Sequence, residues 1–184
     1  MKVLIACEFS GIVRDAFIKK GHDAWSCDLL PTEKPGNHIQ DDVLKHLHKG
    51  WDMMIAHPPC TYLATSGNRC FKDNPERYYQ MEIAVEFVKT LANAPIPKIA
   101  IENPVGRLSS RWRKPDQYVQ PWQFGCGETK KTGLWLKGLQ KLVPTNLVDG
   151  RVGRVWYTRP GVDRWKDRSR TYEGIANAMA AQWV

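Results

Sequence analysis

The stretch MMIAHPPCT, residues Met53–Thr61, sets the fold that this sequence predicts. Its apolar run meets two prolines and then a cysteine, a pattern typical of a buried strand that stops abruptly at its carboxyl end. Ligands bind at that edge of open α/β sheets, and the prolines restrict the backbone just before the sulfur. Cys60 is therefore a candidate nucleophile. The alternative is a buried structural cysteine after a proline-rich turn.

Strand and helix patterns alternate around this stretch. Continuous apolar runs predict strands covered on both faces, and apolar residues at helical spacing predict the helices between them. The predicted strands are 3–7, 22–28, 38–44 (with a helix start), 51–56, 98–104, 119–124 and 132–136. The predicted helices begin at Ile12, at Pro75 after an Asn74 cap, and at Tyr172. We therefore expect an α/β fold with a mixed, mostly parallel sheet and helices on both faces.

The net charge of +8 is concentrated in one segment. Residues 107–170 contain 15 Lys and Arg against 5 Asp and Glu, and they also contain five of the eight tryptophans. Basic residues interleaved with aromatic ones suit phosphates and unstacked bases, so a polyanionic partner is favoured. The alternative for any single tryptophan is a place in the core beneath a solvated basic face.

The cysteines and the apolar runs indicate a cytoplasmic protein without a metal site. Five cysteines form an odd set without a C-x-x-C pair, which favours reduced thiols over a disulfide framework or a zinc ribbon. The apolar run at the start is too short for a signal peptide, and no run approaches membrane-spanning length. We expect no membrane partner. The oligomeric state is left open.

Acidic side chains are predicted at several strand ends. The first strand leads into Glu8–Gly11, where a glycine turn lets a ligand approach and the next helix is expected to offer free N–H groups. Asp28 ends the second strand, Asp42 follows the third, and Glu102 lies at the end of the fifth. The alternatives are turn or helix capping by the two aspartates and a surface ion pair between Glu102 and Arg107.

Four motifs thus occur in a fixed order: F-x-G after the first strand, an acid ending the second, P-P-C after the fourth and E-N-P ending the fifth. In this order they resemble the cytosine-5 DNA methyltransferase family, and more closely its short phage and prophage members that lack a large target-recognition domain. The resemblance covers roughly the first 105 residues, and the ordered set is more specific than any single motif. It implies a Rossmann-like, S-adenosylmethionine-dependent methyltransferase fold.

The resemblance also implies roles for particular residues. Cys60 is expected to be the nucleophile, partly ionised through nearby cations or helix dipoles, and Glu102 is expected to bind the ring nitrogen and amino group of the target base. Six residues are expected to bind S-adenosylmethionine: Phe9, Ser10, Gly11, Asp28, Asp42 and Pro58. Among these, Asp28 is expected to hold the ribose hydroxyls and Asp42 the adenine.

The second half of the chain departs from the family pattern. Where the family has a glutamine/arginine cluster, this sequence offers two basic clusters, and either is a candidate for contact with the base or phosphates. The expected nucleic-acid-binding residues are Lys130, Lys131, Arg168 and Arg170. About 65 residues separate Pro104 from Arg170, too few for an independent recognition domain.

We expect one methyltransferase-like domain over residues 1–184. Residues 1–105 are expected to carry the cofactor and catalytic motifs, 106–170 a basic aromatic segment facing nucleic acid, and 171–184 a closing helix. The first hypothesis is methyl transfer to carbon 5 of cytosine in DNA through a covalent Cys60 adduct. Two alternatives are the same chemistry on single-stranded or nucleotide pyrimidines, and a non-catalytic DNA-binding protein that retains the fold.

Overall fold

The computed structural model describes residues 1–153, 161 and 164–184. Residues 154–160 and 162–163, which include Trp156 of the basic segment, lie outside the described residues.

The described residues form a seven-stranded sheet. Its strands are β1 Lys2–Ala6, β2 Asp23–Asp28, β3 His38–Gln40, β4 Met53–Ala56, β5 Lys98–Pro104, β6 Gln117–Val119 and β7 Thr132–Lys137. The strand order is β3-β2-β1-β4-β5-β7-β6. The first five strands are parallel, and β7 runs antiparallel to both β5 and β6. The predicted mixed, mostly parallel α/β sheet is confirmed.

Helices cover both faces of the sheet. The α-helices in the described residues are α1 Ile12–Lys19, α2 Pro75–Ala92, α3 Leu108–Arg111, α4 Arg164–Ser169 and α5 Glu173–Gln182. One face packs against α2, and the opposite face packs against α1 and α5, which also contact each other. The helix α2 begins as predicted, because Pro75 takes its first position and the Asn74 side chain accepts from the Arg77 amide at 3.0 Å. Such a cap typically stabilises a helix by about 1 kcal/mol.

The central strands are apolar on both sides because both sides are covered. Along β4, Met54 and Ala56 pack with the α2 layer, whereas Met53 and Ile55 pack with the α1 and α5 layer. All four side chains of this strand are fully buried. The alternation places successive residues on opposite faces, so the continuous apolar run is explained by two cores rather than one.

The structure differs from the sequence prediction beyond β5. The strand predicted at 119–124 lies instead at Gln117–Val119, and a short 3-10 helix follows at Pro121–Gln123. Pro121 has no N–H to donate to a ladder, and the Gln120 amide donates to the Gln123 side chain at 2.7 Å in a capping box. Between β4 and α2, where the sequence predicts neither a strand nor a helix, the structure has a 3-10 helix at Thr65–Phe71.

No helix among residues 1–153 and 164–184 has both the length and the apolar character needed to cross a bilayer.

Candidate active site

The carboxyl ends of β4 and β5 bring the two predicted catalytic residues to one place. The strands pair in parallel with Ala56 opposite Ile101, so His57 and Glu102 follow at the same level. The buried Asn103 side chain donates to the Pro58 carbonyl at 2.8 Å, which ties the proline turn to β5. Cys60 is thus held by a turn that is anchored to the neighbouring strand.

The chain after Cys60 is fixed to the chain after β5. The Cys60 carbonyl accepts from the amides of Leu63 (3.0 Å) and Ala64 (2.9 Å), and the Leu63 carbonyl accepts from the Arg107 amide at 2.7 Å. At Gly106, an added Cβ would lie 1.9 Å from the Leu63 carbonyl oxygen. The two segments therefore approach closer than any side chain at that position allows.

Glu102 is bound by His57 at the centre of this site. The His57 Nδ1 and the Glu102 Oε2 are 3.1 Å apart, and the two side chains are only 8% and 15% exposed. Burial by itself raises the pKa of Glu102, but the His57 hydrogen bond, the Lys130 charge and the Thr132 hydroxyl together outweigh burial and lower it. Glu102 is therefore held as a carboxylate.

The thiol of Cys60 is half-buried, and its pKa is raised. Burial is the largest cause and the negative charge of Glu102 the next, while Lys130 and Arg168 act in the opposite direction. The expectation that nearby cations hold Cys60 partly ionised is wrong for this structure, because the cations do not outweigh desolvation and the neighbouring carboxylate.

Of the four predicted nucleic-acid-binding residues, two lie near the thiol. Lys130 and Arg168 both act on the Cys60 charge. Lys130 Nζ also donates to the carbonyls of Arg168 (2.9 Å) and Arg170 (3.4 Å), joining the chain before β7 to α4. Lys131 instead lies 4.3 Å from the centre of the Tyr118 ring.

The fourth predicted contact, Arg170, forms an ion pair on the surface. Its guanidinium binds the Glu33 carboxylate at 2.7 and 3.0 Å and also pairs with Asp167. These carboxylates raise the pKa of Arg170. Arg170 therefore ties the chain after α4 to the connection between β2 and β3.

The predicted cofactor turn is buried and partly covered. Phe9 is 8% exposed and its ring centre lies 5.8 Å from that of Trp165 in α4. Gly11 has a φ of 72°, which favours glycine, and an added Cβ would meet the Arg14 guanidinium at 2.5 Å. This turn therefore requires glycine for both its conformation and its space.

The amino terminus of α1 is already occupied, contrary to the prediction of free N–H groups. The buried Glu8 carboxylate accepts from the amides of Val13 (2.7 Å) and Arg14 (3.2 Å), and the Ser10 hydroxyl donates to the same carboxylate at 3.2 Å. An internal acid thus compensates the positive end of the helix. The residues here do not fit a ligand carboxylate bound at the helix terminus.

The two aspartates predicted to bind the cofactor lie near Cys7. Cys7 follows β1, Asp28 ends β2, and Asp42 follows β3. Burial first, then the charges of Asp28 and Asp42 among others, raise the pKa of the Cys7 thiol. Each aspartate also accepts a hydrogen bond from a nearby backbone amide, as expected for a turn or helix cap. Asp28 accepts from the Leu30 amide at 2.9 Å, and Asp42 accepts from the Leu44 amide at 3.0 Å. Two carboxylates at adjacent strand ends suit a ligand with hydroxyl or amino donors, such as an adenosine moiety.

Sequence reasoning missed three residues of this site. His57 binds Glu102, Glu8 closes the helix terminus, and Asn103 holds the Pro58 carbonyl. Each of the three is next in sequence to a motif residue at a predicted strand end. That position could have marked them as candidate site residues.

The strand order and the reversed β7 define a Rossmann-like fold, which this chain shares with a solved structure described as a methyltransferase. Comparison with solved structures finds 62 matching chains. One is described as a candidate DNA modification methyltransferase encoded within an E. coli prophage; it is 14% identical, with a TM-score of 0.52. The match covers 87% of this chain and 55% of the other, so this chain spans about half the length of that relative. No protein-family model and no curated protein matches the chain.

Proposed function

We propose that this protein transfers a methyl group from S-adenosylmethionine to carbon 5 of cytosine in DNA, with Cys60 as nucleophile. The observation that carries the proposal is the pairing of Cys60 and Glu102 on adjacent strand ends, close enough for the carboxylate to act on the thiol. The resemblance of fold to a candidate DNA modification methyltransferase supports the same reaction class.

The chemistry explains why a thiol and a carboxyl group are both needed. Carbon 5 of cytosine is a weak nucleophile until the Cys60 thiolate adds to carbon 6 and turns the ring into an enamine. Glu102 lies near the thiol, where its carboxylate accepts from the amino group of the base. Once it carries a proton, it donates to the ring nitrogen and neutralises the negative charge that the addition creates. After methyl transfer, loss of the carbon 5 proton lets the thiolate leave.

Two cations near Cys60 partly offset the causes that raise its pKa. Lys130 and Arg168 favour the thiolate, and Glu102 opposes it. When Glu102 binds the base and its negative charge is shared with that base, the repulsion weakens while both cations stay in place. The nucleophile is thereby activated mainly when a base occupies the site.

The cofactor site is proposed at the ends of β1, β2 and β3. Asp28 is proposed to bind the ribose hydroxyls and Asp42 the adenine, with the Phe9–Gly11 turn and Pro58 beside them. When bound there, S-adenosylmethionine supplies the methyl group. Glu8 and Ser10 hold the turn in shape rather than contacting the ligand carboxylate.

DNA is proposed as the substrate because Lys130 and Arg168 lie near the thiol and residues 107–170 carry the excess positive charge of the chain. A target cytosine in a duplex must be flipped out at a cost of about a few kcal/mol, which Lys130, Lys131 and Arg168 help to offset through phosphate contacts. Labelled methyl transfer to duplex DNA, single-stranded DNA and free nucleotide identifies which of these substrates is used.

The decisive experiment traps the covalent intermediate. The protein is incubated with S-adenosylmethionine and DNA containing 5-fluorocytosine, since the fluorine cannot leave as a proton does and the adduct accumulates. We expect mass spectrometry to locate the DNA on Cys60. Cys60→Ala is the control, and it is expected to keep DNA binding without adduct. A wild-type protein that binds both ligands yet forms no adduct refutes the proposal.

A further inference from the structure

His57 lies at the same site and has no part in the chemistry described so far. It is the residue that precedes the two prolines, its Nδ1 is 3.1 Å from Glu102, and its side chain is 8% exposed. Its other nitrogen, Nε2, is buried and has no hydrogen-bond partner in the part of the chain that the structure describes. Among the described residues His46 Nδ1 is likewise buried without a partner, so it is the contact with Glu102 that distinguishes His57.

The addition step needs a proton that Glu102 does not hold by itself. As the thiolate attacks carbon 6, the electron pair that leaves the carbon 5–carbon 6 double bond moves through the ring to nitrogen 3, which takes up a proton. Glu102 is held as a carboxylate by His57, Lys130 and Thr132, so it accepts hydrogen bonds and has no proton to donate. Its negative charge also opposes the Cys60 thiolate.

We propose that His57 is a positioning residue that passes a proton through Glu102 to ring nitrogen 3 of the cytosine as Cys60 adds. This inference rests on the proposed function and deepens it. One transfer along the 3.1 Å hydrogen bond converts Glu102 into the required acid. The same transfer removes the charge that opposes the thiolate.

The step balances in protons and electrons. Before addition, His57 is an imidazolium, Glu102 a carboxylate and Cys60 a thiolate. Afterwards a sulfur–carbon 6 bond exists, nitrogen 3 carries the proton, Glu102 is again a carboxylate and His57 is neutral. The proton returns along the same route when the thiolate leaves.

The His57–Glu102 pair lies among other charged and polar side chains. The groups facing the pair are Cys60 after β4, Lys130 and Thr132 at the start of β7, and Arg168 in α4.

The matched test variant is His57→Asn. The asparagine amide nitrogen occupies the place of Nδ1 and still donates to Glu102, but it cannot release a proton. Single-turnover adduct formation on 5-fluorocytosine DNA is followed across a range of pH, with S-adenosylmethionine saturating. We expect the rate near neutral pH to fall about 10²-fold or more, within the usual range for general acid catalysis. We also expect the alkaline decline of the rate to move to lower pH, because Glu102 alone must then carry the proton.

The control is a second buried histidine that binds a carboxylate. His46 Nε2 lies 3.1 Å from Asp41 Oδ2, and His46→Gln places an amide nitrogen at that position. Wild-type rates and pH dependence are expected for this variant.

Three outcomes are possible for the adduct assay. A slower His57→Asn reaction with the displaced pH profile supports the relay. Equal rates and an unchanged profile overturn the relay but leave the proposed function standing. No adduct with the wild-type protein overturns both. Should His57→Asn fail to fold, nitrogen NMR of the wild-type imidazole decides: a ring protonated on both nitrogens supports the relay, and a neutral ring overturns it.

Discussion

Gly106 sets how closely the Cys60 turn approaches the end of β5, so Gly106→Ala tests this arrangement directly. The added Cβ would lie 1.9 Å from the Leu63 carbonyl oxygen and 3.0 Å from the Ala64 Cα. Both neighbours are backbone, which cannot rotate away, so the two segments must separate by at least about 1 Å. The Arg107–Leu63 hydrogen bond of 2.7 Å lies directly beside this contact.

The expected loss of stability follows from these contacts. Overpacking costs about 1–3 kcal/mol, and a weakened backbone hydrogen bond adds about 1 kcal/mol. We therefore expect the free energy of unfolding to fall by about 2–4 kcal/mol. For a chain of this size that corresponds to a decrease in Tm of roughly 5–15 °C. The displaced turn is also expected to change the rate at which Cys60 reacts.

Two measurements check this prediction. Urea unfolding followed by circular dichroism gives the stability, and iodoacetamide labelling with peptide mass spectrometry gives the reactivity of Cys60 separately from the other cysteines. Gly127→Ala is the matched control, because its Cβ would meet backbone at an ordinary 3.5 Å and is expected to change stability by less than about 1 kcal/mol. The reasoning fails if Gly106→Ala is as stable and as reactive as this control.

Three further predictions concern charged side chains. Glu102→Gln removes a charge that raises the pKa of Cys60, so labelling of Cys60 by iodoacetamide at pH 8 is expected to be faster than in the wild type. Arg14→Met removes a fully buried guanidinium, leaves the buried Ser26 hydroxyl and the Pro35 carbonyl without its N–H donors, and is expected to lower the free energy of unfolding by about 2–4 kcal/mol in urea. The hydrogen bond from Arg170 lowers the pKa of Glu33, so this pair stabilises the fold above the ordinary glutamate value of about 4.3 and is lost as pH falls through the lower folded-state value. The Tm advantage of the wild type over Glu33→Gln should therefore shrink between about pH 5 and pH 3.

Controls separate these effects from general disturbance. Glu86→Gln removes a surface charge that pairs with Lys89 and should leave Cys60 labelling unchanged. Arg14→Lys restores the charge without the planar fork that reaches several acceptors, so it should remain destabilised. A Tm difference between wild type and Glu33→Gln that does not vary with pH contradicts the role given to the ion pair.

The sequence predicted the elements whose patterns are local. The apolar runs of β1 and β4, the capped start of α2 and the strand end at Glu102 depend on neighbouring residues, and each lies where it was expected. The ordered motifs also predicted which strand ends lie together, because parallel strands bring their carboxyl ends to one edge.

The remaining features depend on contacts between distant segments. Nothing local shows that Glu8 folds back onto α1, that Lys130 reaches carbonyls at the end of α4, or that burial outweighs the cations around Cys60. The strand predicted at 119–124 was misplaced because Pro121 and the Gln120 capping box compete with an apolar pattern. The roles of all the site residues, Cys60 and Glu102 included, stay predictions.

The reversed direction of β7 has a consequence for engineering this protein. Because β7 runs opposite to β5, its first residue, Thr132, lies at the same rim as the last residues of the parallel strands. A segment inserted directly before Thr132 is therefore expected to emerge at the rim where β5 ends, while every strand keeps its neighbours.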